Sequence, residues 1–198
     1  MKMHKLWEYL IQIFIVVFGV FLGMLLNEWN IERKAVQEQK LALSRILNEL
    51  DNHQNHLNYV IPYHEKIIHV GDSLISSYSE SDLSKPFLMN GAWSQVPQWQ
   101  GIKMTPLQTS SFESAKISNV LTGIDSDLLN QISAYYEKVT LFNKYSDNIT
   151  TSIFNTNSNT NMLDALFLIT LIRGDIIGFE KGIILNSDKL KNELQKNL

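Results

Sequence analysis

A chain of 198 residues with a net charge of −3 and no cysteine can hold one membrane anchor and one domain of ordinary size. It carries no basic field to attract nucleic acid. Disulfides, thiolate metal sites and cysteine nucleophiles are excluded, and no cofactor is implied.

Residues 10–26 contain one polar side chain, Gln12. The run is at the lower limit for crossing ~30 Å of hydrocarbon, and its flanks extend it. Trp7 and Tyr9 stand at one end and Trp29 at the other, where amphipathic rings favour the headgroup level. At 1.5 Å per residue the two tryptophans are about 33 Å apart, close to the bilayer thickness. The sequence therefore predicts a tail over residues 1–5, a transmembrane anchor over 6–29 and a water-facing domain over 30–198. Residues 23–28 offer no small-residue cleavage site, so the anchor is expected to stay attached. Lys2 and Lys5 precede it, and Arg33, Lys34, Lys40 and Arg45 follow. That count places the domain in the cytoplasm, yet long domains translocate largely regardless of charge. Gly19 and Gly23 form a G-x-x-x-G pair. It is either the seam of a weak homodimer through the anchor or ordinary lipid-facing glycine.

Beyond the anchor the period stays helical. Val36, Leu43, Leu47, Leu50, Leu57, Ile61, Ile68, Ile75 and Tyr78 form a 3-4 stripe, interrupted by Lys40, Gln54, His64 and Gly71. Pro62 predicts a kink or a break. Residues 79–109 read as a long loop, punctuated by Pro86, Gly91, Pro97, Gly101 and Pro106. Its Trp93 and Trp99 either pack on the helices or serve a binding loop. Thr109-Ser110-Ser111-Phe112-Glu113 predicts a helix start, with the end at Gly123. Asp125 should cap a second helix whose stripe is Leu128, Ile132, Tyr135, Val139, Phe142, Ile149 and Ile153, broken by Ser146. A turn over 155–161 leads to a last helix from Met162 towards Leu198. Arg173 and Asp175 make a second membrane span there too costly, and they predict an internal ion pair. Gly174, Gly178 and Gly182 share one face, which either admits a neighbouring helix or loosens this one. Strand patterns are absent, so the fold class is all-α, an antiparallel bundle continuing from the anchor.

Candidate chemistry is sparse. Glu49, His53 and His56 share a helix face, as metal ligands must. No other helix offers a matching Glu-x-x-His, so the expectation is a solvated polar stripe, replaceable without loss of fold. Nucleophile elbows and phosphate-cradling glycine loops are missing. Arg173 is a candidate contact for a ligand or partner, with Trp93 and Trp99.

The segment Leu25-Leu26-Asn27-Glu28-Trp29-Asn30-Ile31-Glu32-Arg33-Lys34, followed by Leu47-Asn48-Glu49-Leu50-Asp51-Asn52, resembles uncharacterised bacterial single-pass membrane proteins with an N-x-W-N-x-E-R-K-like boundary. Ser111-Phe112-Glu113-Ser114-Ala115-Lys116, Leu128-Leu129 and Tyr135-Tyr136 extend the resemblance to about half the chain. It implies an inner-membrane protein with its domain outside the cytoplasm, and it implies no activity. The expected function is a non-enzymatic module that binds an unknown protein partner or assembles with itself. The alternatives are a ligand-sensing bundle and a metal-dependent enzyme built on Glu49, His53 and His56.

Overall fold

The computed structural model describes residues 2–87 and 92–198; the side chains of 2–6, 8–12 and 92 are outside the described set, Tyr9 among them, as is the whole of Gly91. The chain is all-α. Among the described residues six α-helices follow in order: α1 Lys2–Ser77, α2 Glu80–Leu83, α3 Ser110–Ile117, α4 Ser126–Phe154, α5 Met162–Leu171 and α6 Ile177–Lys196. A π-helical turn, Ile172–Ile176, joins α5 to α6.

The 76 residues of α1 make a rod about 110 Å long. It is the one described helix long and apolar enough to cross a membrane, and the apolar stretch within it is unburied. Every described side chain from Ile13 to Leu41, Gln39 excepted, is exposed, Trp29 and Ile31 included. The Arg33 guanidinium lies over the Trp29 ring, 5.0 Å from its centroid, pairing a cation with the aromatic at the end of the apolar run.

From Ala42 onward α1 becomes one wall of the bundle. Leu43, Ile46, Leu50, Leu57, Val60 and Ile67 are buried. Of the kink or break expected at Pro62, the break does not occur, since α1 continues through it to Ser77. Pro62 and Asn58 lie on the exposed face. There water can satisfy the Asn58 carbonyl that the missing N–H leaves free, while Leu57, Val60, His64 and Ile67 hold the opposite face.

α6 runs antiparallel to α1. The register shows in polar contacts along α1, from Asp72 with Arg173 of the π-helical turn, through Glu65 with Lys181 at 2.6 Å and Gln54 with Asp188 at 2.6 Å, to Asp51 with Lys191. Near the bundle base the Lys40 ammonium bonds the Leu198 carbonyl. α4 packs against α6 and reaches α1 through the side chains of Tyr135 and Tyr136. All seven residues of its predicted stripe are buried, and so is Ser146. Asp125 caps α4 as expected, accepting from the N–H groups of Asp127 and Leu128.

Three local expectations are corrected. α3 ends at Ile117 rather than at Gly123. Asn119, with φ +54°, takes the left-handed position after the last turn, a role that asparagine shares with glycine. Gly123, at φ +93°, closes the turn into α4 instead. The loop over 79–109 contains α2, which Ser79 and Asp82 start with a capping box. Arg173 forms no internal pair; both it and Asp72 lie at the surface, and Asp175 is exposed.

Candidate functional site

The Glu49 face of α1 is not solvated, contrary to the sequence expectation. Glu49 is 4 % exposed and His53 2 %; His56 alone of the three is partly open. One carboxylate oxygen of Glu49 accepts from the Tyr136 hydroxyl at 2.8 Å. The other accepts from the backbone N–H of Ser111 at 2.8 Å and from the Ser110 hydroxyl at 3.3 Å. Thr109 makes no side-chain cap. A carboxylate from α1 thus supplies the N-terminal cap of α3, where anionic oxygen is favoured. Burial pushes the Tyr136 phenol well above its ordinary pKa, and the Glu49 charge adds to that. Tyr136 therefore remains a donor.

His53 spends both ring nitrogens inside the protein. Nε2 donates to the Gln108 carbonyl at 2.8 Å, because a carbonyl can only accept. Nδ1 then accepts from the Tyr135 hydroxyl at 2.8 Å. This arrangement assigns the neutral tautomer from its partners. Burial lowers the His53 pKa, against the opposing pull of the Gln108 bond and the Glu49 charge. Tyr135, stacked on His53, is pushed up by burial.

Three turns further along α1, His64 repeats the pattern. Its Nε2 donates to the Ile102 carbonyl at 2.9 Å, and its Nδ1 lies 2.8 Å from Oε1 of Glu180 on α6. Two lone pairs at that distance repel, so a proton lies between them. Both side chains are essentially inaccessible. Oε2 of Glu180 is buried without a hydrogen-bond partner among the described residues.

Both histidines hold the same segment. The loop after α2 is pinned first where the Phe87 N–H bonds the Thr160 carbonyl at 2.9 Å. The Tyr63 hydroxyl donates to the Gly101 carbonyl at 2.6 Å and accepts from the Gln100 N–H at 3.0 Å. Then come His64 on Ile102 and His53 on Gln108. Between these two, the Asn143 side-chain amide brackets Leu107, accepting from its N–H and donating to its carbonyl at 2.8 Å each. Gly101 sits at φ +87°, where a side chain would be strained.

The remaining sequence candidates are dispersed. Trp93 stacks on Trp99 at 4.5 Å and meets Phe87 edge-on at 5.0 Å, so the tryptophans pack within the loop's own cluster. Arg173 pairs with Asp72 instead. Trp7 and Trp29 are exposed along α1. Gly19 and Gly23 have nothing within 4 Å of an added Cβ, and the same holds for Gly174, Gly178 and Gly182. Those last three open onto a groove bordered by Leu141 and Phe179. Among the described glycines a neighbour approaches Gly71, where an added Cβ would meet Ile169 at 3.0 Å.

Among the described residues no three His, Asp or Glu side chains are grouped to hold a metal. The chemistry of this polar column is retention: it positions a loop and caps a helix. The sequence reading missed the pairing of His64 with Glu180. A signal for it existed, since each residue interrupts an apolar stripe. No protein-family model, curated protein or solved structure matches the chain.

Proposed function

We propose that this is a single-pass protein of the bacterial inner membrane whose helical domain works by protein contact rather than catalysis. It holds a protein partner, or a second copy of itself, at a set height above the bilayer. The supporting observation is α1, which runs from a fully exposed apolar stretch into the bundle core without interruption. Such an apolar cylinder needs lipid around it. A helix continuous across the boundary makes the domain a rigid extension of the anchor. The buried Glu49, His53 and His64 support the same reading, because their polar atoms are committed to holding the loop and α3. The boundary around Asn27 and Lys34, with its resemblance to single-pass proteins, favours placing the domain outside the cytoplasm.

Crosslinking in native membranes, read by mass spectrometry, tests this. The expected result is a reproducible set of links from exposed lysines such as Lys138, Lys144 and Lys189 to one other protein or to a second copy. Purified protein that carries stoichiometric zinc or iron, lost in a Glu49→Gln variant, would instead establish the metal-enzyme reading. An export-dependent reporter fused after Leu198 should be active; activity of a cytoplasmic reporter alone would reverse the orientation.

A further inference from the structure

We propose that the turn joining α3 to α4, residues 118–123, rests on the lipid headgroup layer and gives the domain a second contact with the membrane. This rests on the anchor reading above. Because α1 is unbroken, height along it is set at 1.5 Å per residue. The turn borders a crevice whose other wall is Glu32, Ala35, Val36, Glu38 and Gln39 of α1. Those residues stand about 5–15 Å beyond Trp29. The headgroup region extends ~5–8 Å beyond the hydrocarbon on each side. The lower part of the turn therefore reaches it, and an ordinary helix tilt towards this side of α1 brings the whole turn down. The other end of the bundle base, at Leu198, comes only to the level of Lys40.

The composition of the turn suits that position. No charged residue occurs from Ile117 to Ile124. Leu121 is buried and holds the turn to the core, while Ser118, Asn119, Thr122 and Gly123 are exposed. The Asn119 and Thr122 side chains make no hydrogen bond within the described protein, although neighbouring Ser118 bonds the Ser114 carbonyl at 2.8 Å. Uncharged amide and hydroxyl donors can meet phosphate and ester oxygens without stripping water from an ion. Beside them Ile117 is 83 % exposed, an apolar side chain that the interface can shelter.

The absence of cysteine makes the test direct. Three single-cysteine variants of the full chain are labelled with a fluorophore and reconstituted into phosphatidylcholine vesicles: Thr122→Cys in the turn, Val16→Cys in the anchor and Phe154→Cys at the far end. Phe154 is 80 % exposed, so it is the matched control. With headgroup spin-labelled lipid, the label at 122 should lose most of its emission and the label at 154 almost none. With acyl-chain spin label, the label at 16 should be quenched. Quenching at 16, with 122 no more quenched than 154, refutes the turn contact and leaves the anchor standing. The proposal also falls if the 122 label escapes quenching but is shielded from iodide in native membranes, since a protein would then cover the turn. Absence of quenching at 16 removes the anchor reading and the turn contact together.

Discussion

Replacing Glu180 by leucine removes one member of the buried His64–Glu180 pair and leaves the other in the core. Both side chains are inaccessible and their contact is 2.8 Å, so water cannot relax into the site. Breaking a buried pair from one side costs about 3–5 kcal/mol. In a domain of this size 1 kcal/mol shifts the melting temperature by about 2–4 °C. The variant should therefore melt roughly 6–20 °C lower. Replacing both His64 and Glu180 by leucine removes the shared proton and both polar heads. It leaves the Ile102 carbonyl without its donor, at about 1–3 kcal/mol. The double variant should thus be more stable than Glu180→Leu alone. Glu180→Gln, which keeps an N–H able to donate to Nδ1, should be the mildest change. The assay is thermal or guanidinium unfolding of the full chain in detergent, followed by helical circular dichroism. If the two leucine substitutions add within about 0.5 kcal/mol, the pair is not coupled and the argument fails.

The remaining predictions concern pH, glycine and the anchor. Burial lowers the His53 pKa below 6.5 in the folded chain, so below that pH the unfolded state binds a proton that the folded state refuses. Stability present above pH 6.5 should then fall as pH drops towards the folded pKa, at up to about 1.4 kcal/mol per unit. His53→Gln should flatten this window in pH-dependent melts; an unchanged slope would show that the loss arises elsewhere. Gly178→Ala and Gly182→Ala meet open space and should each stabilise the helix by up to ~1 kcal/mol. Gly71→Ala must displace Ile169, and overpacking of about 1–3 kcal/mol should cancel or exceed the same gain. Denaturant midpoints that rank Gly71→Ala with the other two would contradict the packing. Gly19→Ile together with Gly23→Ile should lower self-association in a membrane energy-transfer assay, and an unchanged signal would make those glycines lipid-facing only.

The helical class was legible because apolar spacing persists through every long segment. α4 shows this most fully, its stripe running from Leu128 to Ile153 as read. The polar interruptions were harder. His64 follows Leu57 by one heptad, and Glu180 lies between Ile176 and Ile183, so both occupy core positions. That they meet depends on the antiparallel register of α1 and α6, which local spacing does not encode. Glu49 and His53 looked solvated because carboxylate and imidazole seldom sit in a core unpaired. Their partners come from Tyr135 and Tyr136 on α4 and from backbone atoms of Gln108 and Ser111, all distant in sequence. The break at Pro62 failed to appear for a related reason. The proline's cost depends on whether water reaches the freed carbonyl, and the sequence leaves open which face of α1 is exposed there.

Extraction of native membranes with alkaline carbonate tests most directly whether the exposed apolar length of α1 is embedded in lipid. The full chain should stay in the pellet with integral proteins, and replacing Val16, Val20 and Leu22 by lysine should release it. Recovery of the unaltered chain in the supernatant would contradict a membrane anchor and everything built on it.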